Sequence, residues 1–184
     1  MKLIIGITGA SGPHYGIRLL EVLHEKDDIE THLVISETAE QTIAMESDKS
    51  LQEVRALADV VYEAQDLSSA LSSGSFRTDG MIIAPCSIKT LSGIANSFNV
   101  NLVIRAADVV LKEKRKLILL VRETPLHGGH LRLMTQASEA GAIIMPPVPA
   151  FYHHPTSLQD IIDHTVGKVL DLLNIKHDLF KRWG

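Results

Sequence analysis

The turn Gly9-Ala10-Ser11-Gly12 closes the run GITGASG (Gly6–Gly12), directly after an apolar stretch. Glycines at such a place let backbone N–H groups approach an anion, and a helix that starts there turns its positive end toward it. The spacing is Gly-x-x-Gly-x-x-Gly, not the Gly-x-Gly-x-x-Gly of dinucleotide sites. None of Tyr15, Tyr62 or Tyr152 has the lysine four residues on that a short-chain dehydrogenase needs. A nicotinamide enzyme is therefore disfavoured, although Glu37 could serve a ribose. PCSIKT (Pro85–Thr90) offers a second cradle, with Ser87 and Thr90 opening a helix. In NLVIRAADVVLKEKRK, Arg105 and Lys112 stand seven apart and share a helical stripe about 10 Å long, with Asp108 between them. From this sequence alone a solvated charged face is the preferred reading, and the same holds for Lys168.

The histidine pairs in HGGH (His127, His130) and HH (His153, His154) have no carboxylate at an established ligand spacing, so no metal is expected. Cys86 is the single cysteine, which rules out an internal disulfide and a cysteine-based zinc site; at a strand end it reads as a small buried hydrophobe.

These residues need elements to position them. Apolar, β-branched runs at KLIIGIT (Lys2–Thr8), THLVIS (Thr31–Ser36), DGMIIAP (Asp79–Pro85), KLILLV (Lys116–Val121) and GAIIMP (Gly141–Pro146) predict strands covered on both faces. Helical patterns fall between them at about 13–26, 38–58 with a break near Asp48, 87–97, 102–114 and 131–140. A last helix begins at Thr156 or Ser157, with Gln159 and Asp160 placed for a capping box, and runs to about Leu173. Leu158, Ile162, Val166, Val169 and Leu173 share its apolar face. Alternation of strand and helix implies an α/β fold: a three-layer, Rossmann-like (flavodoxin-like) open sheet, mostly parallel, with helices on both faces.

Ligands of such sheets sit beyond the carboxyl ends of the strands. There the chain offers Gly9 to Gly12, then Ser36 and Glu37, then Cys86 to Thr90, then Arg122 and Glu123, and finally Tyr152. Polar loops explain any one of these; four edges together favour a ligand lying across them. The 184 residues fit one domain, 1–184, without internal repeat or linker. The Ser-rich DLSSALSSGSF (Asp66–Phe76) is too short to separate domains, and MPPVPAFYHHP (Met145–Pro155) reads as a rigid extended connection. A net charge of −4 makes nucleic acid an unlikely partner, and runs such as LILLV are too short to cross a bilayer. The N-terminus has no secretory-signal pattern, so a cytoplasmic location is expected.

Together GITGASGPHYGIRLL, MESD, PCSIKTLSGIA, RAADVVLKE, LLVRETPL, PPVPAFYHHP and the closing KRW resemble the UbiX-type flavin prenyltransferases, in one register over nearly the whole chain. SSGSFRTDGMI looks most like the members encoded beside phenolic-acid decarboxylases. The resemblance implies a homododecamer with FMN at subunit interfaces. The implied reaction joins a dimethylallyl group from dimethylallyl phosphate to reduced FMN, at N5 and then C6, without a metal. The product, prenylated FMN, would serve a partner UbiD-type enzyme of aromatic acid decarboxylation.

By the same resemblance Gly9, Ala10, Ser11, Ser36, Ser87, Ile88, Lys89, Thr90 and Arg122 match FMN contacts, with Ser11 near flavin N5. Arg105, Lys112, Tyr152 and Lys168 match the positions that hold the substrate phosphate, the first two across an interface. Glu46 and Glu123 match its acidic residues, and Ser11, Glu46 and Glu123 form the expected catalytic set. Many relatives carry Arg where this chain has Lys168, and HLRL (His130–Leu133) replaces the usual HLEN. Two alternatives remain. One is an FMN-dependent cysteine decarboxylase of the same fold, although its PASANT segment is replaced here by PCSIKT. The other is a non-catalytic flavin-binding subunit of a decarboxylase complex.

Overall fold

Strands with no polar face can only be stable where both faces are covered. The computed structural model, which describes residues 1–182, assembles them accordingly. Strands β1 (Lys2–Ile7), β2 (Glu30–Ile35), β3 (Val60–Tyr62), β4 (Gly80–Cys86), β5 (Lys116–Val121) and β6 (Ala142–Ile144) form one sheet in the order β3-β2-β1-β4-β5-β6. Every pairing is parallel. Among the described residues, seven α-helices accompany them: α1 (His14–His24), α2 (Glu37–Glu46), α3 (Leu51–Arg55), α4 (Ile88–Ala95), α5 (Leu102–Lys112), α6 (Gly128–Glu139) and α7 (Leu158–Leu172).

The two-residue period of β1 divides the core. Leu3, Ile5 and Ile7 face a layer that includes Leu19, Leu20 and Leu23 of α1, Ile43 of α2, Val54 of α3, and Val166, Val169 and Leu170 of α7. Ile4, together with Met81 and Ile83 of β4, faces the opposite layer, where Leu91 of α4, Val103, Ala106 and Val110 of α5, and Ala137 of α6 pack. This is the expected three-layer arrangement. Each of these fully buried Leu, Ile or Val side chains stabilises the fold by about 1.5–3 kcal/mol relative to exposure.

Several boundaries differ from expectation. Strand β3 has only three residues, too few to show a period, and Val61 is exposed at the sheet's edge. The 38–58 helix breaks where expected: α2 stops at Glu46, and a capping box between Ser50 and Glu53 starts α3. Helix α6 begins at Gly128, three residues before the expected start, because the His127 ring accepts a hydrogen bond from Gly129 N and caps it. In α7, Ser157 and Asp160 form the capping box, without Gln159. Ile162, Val166, Val169 and Leu173 are buried there, but Leu158, in the first turn, is 72% exposed. The KRW signature ends at Trp183, which lies outside the described residues.

The chain crosses from one half of the sheet to the other between β1 and β4, and Thr8 joins the ends of those strands. Its buried hydroxyl donates to Pro85 O at 2.7 Å and accepts from Ser87 N at 2.8 Å. Thr8 N also donates to Pro85 O at 3.2 Å. Replacing Thr8 by Val keeps the shape and the Thr8 N bond to Pro85 O but leaves the part-buried Ser87 N–H without its acceptor, which costs about 1–3 kcal/mol. Urea unfolding of Thr8→Val is expected to show a lower midpoint with an unchanged slope.

Candidate functional site

Parallel strands deliver all their carboxyl ends to one edge, and the helices that follow start there. At this edge Ser36 caps α2 by accepting from Ala39 N at 3.2 Å, and Asn101 caps α5 by accepting from Ile104 N at 3.0 Å. Ser87 caps α4, accepting from Thr90 N at 3.3 Å while its hydroxyl donates to Thr90 Oγ1 at 3.1 Å. The three caps surround a half-open cleft of about 290 Å³. Gly9 borders it after β1; Ser36, Glu37 and Thr38 border it at the start of α2; and Ser87, Ile88, Lys89 and Thr90 do so at the start of α4. Asn101 and Ile104 contribute from α5, Ala64 and Gln65 from the loop after β3, and Glu123 from the loop after β5. The first-turn N–H groups and three positive helix ends make this edge attractive to an anion.

Gly9 is there for space. A Cβ on it would collide with the Thr38 side chain, so only glycine lets the turn run this close to α2. Gly12 has φ +89°, a left-handed conformation that favours glycine. Glu46, at the end of α2, clamps this turn: it accepts from Gly12 N at 2.8 Å and from the Ser11 hydroxyl at 3.1 Å. The expected catalytic pair Ser11 and Glu46 therefore meets on the rim, beside the half-buried Ala10. Glu123 is exposed, and its Oε1 accepts from Thr124 N at 2.9 Å.

Arg122 continues from β5, its N–H donating to Cys86 O at 3.1 Å. Burial pushes the Tyr15 phenol pKa up, and the nearby Arg122 charge opposes that rise. Tyr15 thus sits beside Arg122, a placement that sequence reading missed; its position in the first turn of α1, next to the glycine turn, was the available signal. Gln65 was missed as well: its Nε2 donates to Glu37 Oε1 at 3.1 Å across the mouth of the cleft.

None of Arg105, Lys112, Tyr152 or Lys168 borders this cleft. Arg105 is not a merely solvated cation. Its guanidinium donates to Ser72 O at 3.0 and 3.2 Å and to Asp108 at 3.1 Å. Arg115 donates to Gly74 O and Phe76 O at 2.8 and 2.9 Å, so two arginines hold the Ser-rich segment against α5. Lys112 pairs with Glu113 beside Gly74.

Tyr152 and Lys168 form a separate group. The Tyr152 hydroxyl shares a 2.6 Å hydrogen bond with His164 Nε2, and His164 is one helical turn before Lys168 on α7. The Lys168 ammonium lies 3.7 Å from Asp171, a carboxylate already engaged by Arg182 at 2.7 Å and His177 at 3.1 Å. The Arg182 hydrogen bond, ahead of the His177 one, holds the Asp171 pKa below its ordinary value.

Among the described residues, no three or more of His, Cys, Asp and Glu converge as metal ligands. The His127 and His130 rings lie against each other at a tilt of 33°, with centroids 3.6 Å apart. Cys86 is fully buried, and burial drives its thiol pKa far up. No helix among the described residues is long and apolar enough to cross a membrane.

Residues 1–176 match the family model described as Flavoprotein. Over 184 residues the chain is 63% identical to the flavin prenyltransferase UbiX of Escherichia coli (strain K12), covering 99% of this chain and 97% of that one. A crystal structure of a dodecameric FMN-dependent UbiX-like decarboxylase from Escherichia coli O157:H7 superposes with a TM-score of 0.98, at 50% identity and with full coverage of both chains. A crystal structure of AnUbiX in complex with FMN and dimethylallyl pyrophosphate gives 0.97, at 49% identity, over 100% of this chain and 97% of that one.

The close approach of Gly9 to Thr38 yields a test of the cleft's construction. Gly9→Ala is expected to lower stability by about 1–3 kcal/mol in chemical denaturation, through overpacking at the start of α2.

Proposed function

The chain belongs to the UbiX flavin prenyltransferases within the flavoprotein family, and on that ground we propose which donor, assembly and residues carry prenyl transfer here. It is a transferase that joins a dimethylallyl group to FMN. The observation that supports the site assignment most is the convergence of the α2, α4 and α5 N-termini on a cleft edged by Gly9. That set fits FMN. Free N–H groups and hydroxyls suit its phosphate and ribityl chain, and the Gly9 turn leaves room for close backbone approach. Gly9, Ala10, Ser11, Ser36, Ser87, Ile88, Lys89, Thr90 and Arg122 hold it in this reading. When bound in its reduced form, FMN supplies the N5 and C6 nucleophiles.

The donor is dimethylallyl phosphate. Its leaving oxygens develop charge as the allylic C–O bond breaks, and fixed cations and donors stabilise that charge without solvent reorganisation. Arg105 and Lys112 of one copy, with Tyr152 and Lys168 of another, provide them. The Asp171 carboxylate is already shared with Arg182 and His177, so the Lys168 ammonium can turn toward a phosphate. Lys168 acts as a point charge and lacks the two-pronged grip of an arginine. Ser11, oriented by Glu46, stands near N5, and Glu123 Oε2 accepts the proton released when the second bond forms. Homododecameric assembly brings the two halves of this phosphate site together. The protein works in the cytoplasm, and its product passes to a UbiD-type decarboxylase acting on an aromatic acid.

Incubation with reduced FMN and either dimethylallyl phosphate or the pyrophosphate, followed by flavin mass analysis, tests this reading. A gain of one prenyl group with the monophosphate is expected; unchanged FMN with both donors overturns it, and a gain with the pyrophosphate alone overturns the choice of donor. Glu123→Gln should retain FMN while forming product about 10²-fold more slowly. Arg122→Ala should purify with less flavin than the parent protein, measured by absorbance at the flavin band.

A further inference from the structure

Tyr152 is 45% exposed, yet the histidine bonded to its hydroxyl is 7% exposed and clamped on both sides. The His164 ring stacks on His153 at 4.6 Å and 7° and meets Phe180 at 4.6 Å. Tyr152 stands edge-on to it, with centroids 5.4 Å apart and planes at 80°. A phenol at the surface thus ends on a buried, ring-packed anchor. Lys168 follows His164 by four residues on α7, so the phenol oxygen and the ammonium come to the same side of the helix.

We propose that His164 is the positioning residue for Tyr152: its Nε2–H donates to the phenol oxygen and so aims the phenol O–H at an oxygen of the prenyl donor's phosphate when that donor binds. This rests on the reading of Tyr152 and Lys168 as phosphate ligands. Burial first, then the neighbouring His153 and Lys168, holds the His164 pKa below the ordinary histidine value, against the opposing pull of Asp171. The ring is therefore neutral near pH 7 and carries one N–H. With that hydrogen on Nε2, histidine, phenol and phosphate form a chain in which each hydrogen bond polarises the next. His164 touches no reacting atom; it sets the direction and strength of a donor that does.

The test compares wild type, His164→Gln, His164→Leu, Tyr152→Phe and the Tyr152→Phe/His164→Leu pair, all as assembled, FMN-loaded protein. Dissociation constants for dimethylallyl phosphate are read by calorimetry with oxidised FMN, where no turnover occurs, and KM and kcat are read under reducing conditions. His164→Leu is expected to weaken binding and to lower kcat/KM about five- to tenfold, with part of the loss in kcat. His164→Gln, whose amide can still donate to the phenol, should stay within about twofold of wild type. In the Tyr152→Phe background, His164→Leu should add nothing further.

If Tyr152→Phe weakens binding while His164→Leu does not, the positioning role is overturned and the phosphate reading stands. If Tyr152→Phe itself leaves binding unchanged, the phosphate reading fails. Full additivity of the pair, or failure of glutamine to rescue, also overturns the proposal. Should the leucine variant fail to assemble, His164→Asn, which is polar but too short to reach the phenol, takes its place with the same expected loss.

Discussion

A single threonine hydroxyl decides where this sheet can open. Parallel strands that run to opposite sides of a starting strand splay apart at their carboxyl ends, and a ligand needs that splay to be of fixed width. Thr8 sets the width by bonding to both Pro85 O and Ser87 N. The same contact places Ser87, and Ser87 in turn caps α4. The orientation of one helix N-terminus over the cleft is thus inherited from a hydrogen bond at the end of β1. Burial of the Thr8 hydroxyl makes the contact costly to lose.

The polar groups of the protein divide into two populations with different physics. Many of those at the cleft are short and rigid: serine and asparagine caps, helix N–H groups and a glycine turn clamped by Glu46. They hold a ligand by geometry. The long cations, Arg105, Lys112 and Lys168, lie elsewhere, each beside a carboxylate on its own helix or at its end. The Lys112 and Lys168 pairs are exposed and so weak, whereas Arg105 is also held by two hydrogen bonds to Ser72 O.

What could be read in advance depended on how local the signal was. Five strands showed as continuous apolar runs, and Ser157 with Asp160 marked the start of α7 within four residues. The serines at 36 and 87 were legible because a cap bonds to its own helix. Strand β3 was not, since three residues carry no period. The Thr8 contact joins residues 77 positions apart, and the Ser11–Glu46 bond spans 35. Nothing in composition or spacing links such partners, and Glu46 entered only through the family resemblance. His164 was hidden for a different reason: it stands beside Thr165 and Val166 within the buried stretch of α7, where a histidine looks like one more packed ring.

Cys86 has a practical consequence. Thiols react with oxygen-derived species and alkylating reagents as thiolates, and burial at the end of β4 keeps this one protonated and out of reach. Air, peroxide formed by reoxidising flavin and maleimide dyes should all leave this thiol unmodified in the folded chain. Preparations can then be cycled between aerobic storage and anaerobic reduction without a thiol protectant, and a surface cysteine introduced for labelling would be the only one to take the dye.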